Sequence, residues 1–260
     1  MKSVTPIRDL TAAARAGLAD NWGKSIGVML VYIFLSIGIS KVPHTFGVLQ
    51  WIFAAPLIVG VTVYFLATVR RQDNRFSLMF DGFNRFGTAV FTYLLVSLII
   101  LAWTIHLWIL MIWLFITCVD GQAIVAVWID VFENGAQPDM SCFNGLGLVA
   151  IVFLVICALM IPLQMRYGLA LFVVADDPSV RARQAIRRGI ELMKGNYWRL
   201  GIFWLRFIGW QILAVLTLGI GLIWLAPYYM AAMTAFYDDL AKNYVEPTQG
   251  DVNAGQQINF

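Results

Sequence analysis

The chain of 260 residues is 60% hydrophobic and only 13% charged, and its mean hydropathy is +0.77. Soluble domains carry about 25% charged residues, so this composition excludes an ordinary water-soluble fold. The net charge of +3 is small and gives no indication of nucleic acid binding.

Six apolar segments follow one another along the chain, and their length is typical of helices that cross a bilayer. The predicted spans are residues 25–40, 48–69, 88–119, 146–174, 200–218 and 220–236. At ~1.5 Å per residue the third would extend about 48 Å, so we expect it to tilt within, or protrude from, a hydrocarbon layer of about 30 Å. The sequence therefore predicts an all-α membrane protein with six transmembrane helices.

These spans pair into three hairpins, at about 22–70, 84–174 and 196–238, within a single polytopic membrane domain over residues 1–240. The polar tail, residues 241–260, is expected to be disordered. Each hairpin opens on an Asn followed closely by an aromatic residue, and each returning helix contains a Pro. The residues are Asn21, Asn84 and Asn196, with Pro56, Pro162 and Pro227. This pattern predicts a threefold repeat.

Short amphipathic segments precede the first and third hairpins. In residues 6–19 apolar side chains recur at helical spacing, with Thr5 as the predicted N-cap and Pro6 in the first turn. In residues 179–194 an apolar stripe opposes a strongly basic face. We expect both to be cytoplasmic interfacial helices, either contacting anionic headgroups or only packing beneath the bundle.

Basic residues gather on one predicted side of the membrane, as expected for cytoplasmic loops. The opposite side carries Lys41 alone, and its long loop contains four acidic residues and no basic one: Asp120, Asp130, Glu133 and Asp139. Both termini are therefore predicted to be cytoplasmic. The basic residues nearest the third hairpin are the candidate contacts for lipid headgroups: Arg181, Arg183, Arg187, Arg188, Lys194 and Arg199.

Catalytic, cofactor and metal sites are not predicted. Residues 23–27 match Gly-x-Ser-x-Gly, but this segment opens a membrane helix and does not follow a strand, so Ser25 lacks the context of a hydrolase nucleophile. His44 and His106 are the two histidines, and the spacing of a closed zinc site is absent from the sequence. Cys118 and Cys142 are expected near the non-cytoplasmic face, where a disulfide is conceivable, although we favour free thiols.

Polar side chains within the predicted spans form a candidate intramembrane site: Arg206, Arg166, His106, Gln164 and Gln211. A charge in hydrocarbon needs a partner, water or a route to the interface. For both arginines snorkelling toward headgroups is the simpler interpretation, and for His106 a neutral hydrogen bond between helices is simpler than a proton relay.

The last quarter of the chain carries recognisable motifs, among them Leu-Met-Lys-Gly-Asn at residues 192–196 and Leu-Thr-Leu-Gly-Ile-Gly at residues 216–221. In these residues the chain resembles a family of uncharacterised bacterial integral membrane proteins, a family with a domain of unknown function related to the YciC-like proteins and to the membrane domain of glycerophosphodiester phosphodiesterases. The resemblance implies a location in the bacterial cytoplasmic (inner) membrane. It brings no catalytic residues.

We predict a non-enzymatic membrane protein, accessory or structural, that engages anionic lipid headgroups or a membrane protein partner through its basic surface helices. The alternative is a transporter for a small solute or a lipid, which would use the polar residues inside the spans.

Overall fold

The computed structural model describes residues 5–41, 48–118, 129, 132, 133 and 144–244, and these contain helices and no strands. In chain order the helices are α1 Ile7–Leu18, α2 Trp22–Ser40, α3 Val48–Val69, a 3-10 helix Phe76–Arg85, α4 Phe86–Cys118, α5 Asn144–Tyr167, α6 Ala170–Asp176, α7 Ala182–Met193, α8 Tyr197–Leu216 and α9 Leu222–Lys242.

Five stretches of the described chain are long and apolar enough to cross a membrane. They are Trp22–Ile39, Ile52–Val69, Phe76–Thr117, Gly147–Asp176 and Tyr197–Leu216. Each overlaps one of the first five predicted spans, so the structure confirms an all-α protein of the multi-pass membrane type. The sixth predicted span lies in α9, whose last turns carry Asp238, Asp239 and Lys242.

The chain divides into two compact units, Met1–Tyr93 with Arg166–Phe260, and Leu94–Met165. The second unit contains most of α4 and α5, and many of their large apolar side chains are exposed, as expected for helices whose solvent is lipid. In the first unit α3 is central: its span is 67% buried, and it packs against α1, α2, α6, α9 and the 3-10 helix.

The backbones of α3 and the 3-10 helix lie in direct contact with each other. A Cβ on Gly82 would lie 1.9 Å from the carbonyl oxygen of Pro56, and a Cβ on Gly60 would lie 1.8 Å from that of Met79. Only glycine leaves room for this approach. The 3-10 helix was not among the predicted elements, although its apolar residues Phe76, Met79, Phe80 and Phe83 recur at helical spacing.

Three sequence predictions are corrected. The fourth span contains two helices and not one, because α5 ends at Tyr167, α6 begins at Ala170, and residues 168 and 169 form a turn between them. Thr5 is not the N-cap of α1: Pro6 is, and the Thr5 hydroxyl donates to Asp239 Oδ1 at 2.6 Å.

The third correction concerns the last two spans. Residues 217–221 form a turn in which Leu218 and Gly219 have positive φ values of 54° and 84°, and Gly219 N–H donates to the carbonyl of Ala214 at 3.1 Å. This bond ends α8 at Leu216, two residues before the predicted end of the span. α9 then continues to Lys242, beyond the predicted boundary at residue 236.

Asn21 and Asn196 occupy equivalent positions between a short helix and a long one. Asn21 Nδ2 donates to the carbonyl of Gly17 at 3.4 Å, and Asn196 Nδ2 donates to that of Leu192 at 3.1 Å. Both bonds run to the residue four positions earlier. The threefold repeat remains a prediction, and Pro56, Pro162 and Pro227 lie inside α3, α5 and α9.

Candidate functional site

Helix α7 combines a buried apolar face with an exposed basic one. It buries six residues: Ala182, Ala185, Ile186, Gly189, Leu192 and Met193. Gly189 lies against α6, since a Cβ there would be 3.0 Å from the backbone nitrogen of Ala170. This close packing fixes the direction in which the remaining residues of α7 point.

Four of the six predicted headgroup contacts are exposed on or beside α7: Arg181, Arg183, Arg187 and Lys194. Arg187 also lies 3.8 Å from Glu191 one turn later, an exposed pair of the kind that contributes little stability. We call these four residues the α7 basic surface.

The other two predicted headgroup contacts, Arg188 and Arg199, pair within the protein. Arg188 donates to Asp177 Oδ2 at 3.2 Å, and its guanidinium lies 5.5 Å from the ring centroid of Tyr244. Arg199 donates to the carbonyl of Thr5 at 2.6 Å and to Asp239 Oδ2 at 3.2 Å. Because each guanidinium already has a carboxylate partner, both residues join helices to one another.

An ion-pair cluster joins the ends of α3, α6 and α9. Arg70 donates from Nη1 to Asp176 at 2.6 Å and from Nε to Asp238 at 2.8 Å. Lys242 adds a second cation on Asp238 at 2.6 Å, and the Tyr237 hydroxyl donates to Asp176 at 3.1 Å. This cluster holds the ends of three helices together.

This cluster was not predicted from the sequence, in which Arg70 contributes only to the pattern of basic residues that indicates orientation. A signal was present: α6 and α9 each end near an Asp-Asp pair, at residues 176–177 and 238–239, whereas α3 is followed by Arg-Arg at residues 70–71. Opposite charges attract, so the acidic pairs near the ends of α6 and α9 favour contact with the basic pair that follows α3.

The five predicted intramembrane polar residues are all exposed in the structure. His106 and Gln164 belong to one unit, and Arg166, Arg206 and Gln211 to the other. The Arg166 guanidinium lies 5.8 Å from the ring of Tyr167, the next residue. Arg206 lines a cavity of about 390 Å³ with residues of α1, among them Arg8 and Arg15, and with none of the other four candidates.

Ser25 is buried, and its Oγ lies 3.2 Å from the hydroxyl oxygen of Tyr64. This bond joins α2 to α3. His44, Cys142 and the side chain of Cys118 lie outside the described residues, as does most of the acidic loop. Cys157 is free and exposed.

A family model described as "Protein of unknown function (DUF975)" matches residues 1–244. The chain belongs to this family. The match confirms the resemblance to an uncharacterised family, while the relation of DUF975 to YciC-like proteins and to glycerophosphodiester phosphodiesterases stays a prediction. Comparisons with curated proteins and with solved structures find no match.

Proposed function

We propose that this chain is a non-enzymatic protein of the bacterial inner membrane that contacts anionic lipid headgroups through the α7 basic surface. The observation that carries the proposal is the placement of Arg181, Arg183, Arg187 and Lys194, which are exposed on a helix whose opposite face is buried. The negative potential of a membrane surface rich in anionic lipids attracts each such cation by about 1 kcal/mol.

The proposed topology has six spans in three hairpins, with both termini in the cytoplasm. It rests on the distribution of Lys and Arg and makes α9 the sixth span. The α7 basic surface then lies on the cytoplasmic side, between the fourth and fifth spans. That side of the membrane carries the negative surface potential of anionic lipids.

The proposed role is accessory or structural, with a membrane protein as a further partner of the basic helices. Transport is the less supported alternative. It needs polar side chains gathered around one cavity, whereas Arg166, His106, Gln164 and Gln211 are exposed and do not line the cavity that contains Arg206.

Lipid selectivity tests the proposal. The full chain is reconstituted in vesicles of phosphatidylcholine with spin-labelled phosphatidylglycerol or phosphatidylcholine, and electron spin resonance measures the fraction of each label held at the protein surface. We expect a preference for phosphatidylglycerol that declines with added salt. Replacing Arg181, Arg183 and Arg187 with Gln should remove most of the preference for phosphatidylglycerol over phosphatidylcholine.

A control variant removes the same charge elsewhere, by replacing the exposed Lys41, Arg71 and Arg75 with Gln. It should retain more of the preference for phosphatidylglycerol than the α7 variant. An unchanged preference in the α7 variant, or an equal loss in the control, would refute the role of α7.

A further inference from the structure

A groove along α1, α8 and α9 changes from cationic at one end to apolar at the other. On α8 its lining residues recur at helical spacing: Arg206, Trp210, Leu213, Ala214 and Thr217. On α1, Arg8, Ala12 and Arg15 also share one face. The lining residues therefore form one stripe along α8 and one along α1.

The cationic end is the cavity of about 390 Å³ that contains Arg206. Three arginines line it, Arg8, Arg15 and Arg206, against the single carboxylate of Asp9. Within the described part of the chain, none of these arginines forms an ion pair. This excess of positive charge favours an anion, and guanidinium groups suit the geometry of phosphate.

The apolar end is a second cavity, of about 370 Å³, and Arg15 lines both cavities. Its other walls include Trp22, Trp210, Trp224 and Leu213. From Arg206 to Thr217 the groove follows 11 residues of helix, about 16 Å, a length that accommodates a large part of one extended acyl chain.

We propose that this groove binds one anionic phospholipid, with its phosphate between Arg8, Arg15 and Arg206 and one acyl chain against Trp210, Leu213 and Trp224. A soluble phosphate would leave the apolar cavity unfilled, and a zwitterionic lipid would bring a cation toward three arginines. The chemistry of both ends together therefore specifies an anionic lipid.

This inference extends the proposed lipid contact to a second, separate site with defined stoichiometry. The α7 basic surface attracts many headgroups weakly, whereas the groove holds one lipid. Variants of each surface can be compared in the same chain, so failure of either proposal is recognised separately.

Native mass spectrometry of the full chain in detergent measures the binding. The probes are phosphatidylglycerol, phosphatidylcholine and glycerol 3-phosphate, which carries the headgroup phosphate without acyl chains. We expect one tightly bound phosphatidylglycerol. Replacing Arg15 and Arg206 with Gln should weaken it by about tenfold or more, whereas replacing Arg181 and Arg183 with Gln should leave this tight site nearly unchanged.

A second pair of variants tests the acyl end without altering charge. Leu213→Trp fills the groove and should weaken phosphatidylglycerol binding, whereas Leu205→Trp places the same side chain at an exposed position of α8 away from the groove. Elution volume and thermal midpoint should match those of the unmodified chain, because the replaced residues are exposed.

Three results would overturn the inference. The first is equal weakening by the Arg15/Arg206 and Arg181/Arg183 variants, which indicates no dedicated site. The second is binding of glycerol 3-phosphate as tight as that of the lipid, which indicates a soluble anion. The third is a mass spectrum that shows a dimer of the chain without bound lipid, which would indicate that a second copy covers the groove.

Discussion

Arg70 Nε, just beyond the end of α3, donates to Oδ1 of Asp238 in α9 at 2.8 Å, across 168 positions of the sequence. The Asp238 side chain is 6% exposed, whereas that of Arg70 is 28% exposed. Removing Arg70 leaves Asp238 with only the exposed Lys242 as its cation and leaves Asp176 without a guanidinium partner, at sites where water replaces the lost partner poorly.

Arg70→Gln should therefore lower the free energy of unfolding by about 2–4 kcal/mol, measured by thermal unfolding in detergent. The matched control is Arg75→Gln. Arg75 pairs with Asp73, and their side chains are 75% and 69% exposed, so losing this pair should lower the free energy of unfolding by less than about 1 kcal/mol. Equal effects of the two substitutions would show that the cluster does not hold the helices together.

Asp177 predicts a dependence of stability on pH. Its Oδ1 accepts hydrogen bonds from the Ser179 hydroxyl at 2.7 Å and from the Ser179 N–H at 2.9 Å. The hydroxyl bond is the largest cause that lowers the pKa of Asp177 below its usual value, and Arg188 lowers it further. A lowered carboxylate pKa stabilises the fold above the unfolded pKa of about 4, and this contribution is lost as the pH falls through the folded value.

Ser179→Ala should accordingly lower the unfolding temperature at pH 7, and its difference from the unmodified chain should shrink at pH 3. Thermal scans at the two pH values measure this. Ser77→Ala, at another exposed serine, is the control. A difference that stays constant between pH 7 and pH 3 would contradict the assignment to Asp177.

Gly82→Ala should destabilise the protein by about 1–3 kcal/mol or more, because the new methyl group meets the Pro56 carbonyl oxygen. Gly87→Ala is the matched control: it lies at the start of α4, where a Cβ meets nothing within 4 Å. There the substitution should stabilise by about 0.5–1 kcal/mol, since alanine favours the helix. Thermal unfolding of both variants measures the contrast, and a neutral Gly82→Ala would show that the 3-10 helix moves away from α3 at little cost.

Membrane topology is tested by labelling single cysteines with an impermeant reagent, after Cys118, Cys142 and Cys157 have been replaced with Ser. Arg187→Cys should react only from the cytoplasmic side, and Lys41→Cys and Asp139→Cys only from the other side, because short loops rich in Lys and Arg are retained in the cytoplasm. Reaction of Arg187→Cys and Asp139→Cys from one compartment would overturn the six-span arrangement.

The sequence predicted the helical spans well because each depends on neighbouring residues alone. Continuous apolar runs identify α2, α3, α4, α5 and α8 through the cost of placing polar groups in hydrocarbon. Boundaries were less accurate where backbone geometry decides, as at the turn of Leu218 and Gly219. The 3-10 helix was not predicted because its ten residues are too few for a membrane span, and its packing on α3 through Gly60 and Gly82 is a contact between distant parts of the chain.

By itself, the sequence determined that this chain is a helical membrane protein, since hydrophobicity is a property of composition and order along the chain. Only the tertiary structure decided what each arginine does. Arg183 is exposed, Arg188 and Arg199 are paired, and Arg206 shares a groove with Arg8 and Arg15. Arg183 and Arg188 lie in the same basic segment, and they differ because the partner of a charge is set by the distance in space between groups that can be far apart in the chain.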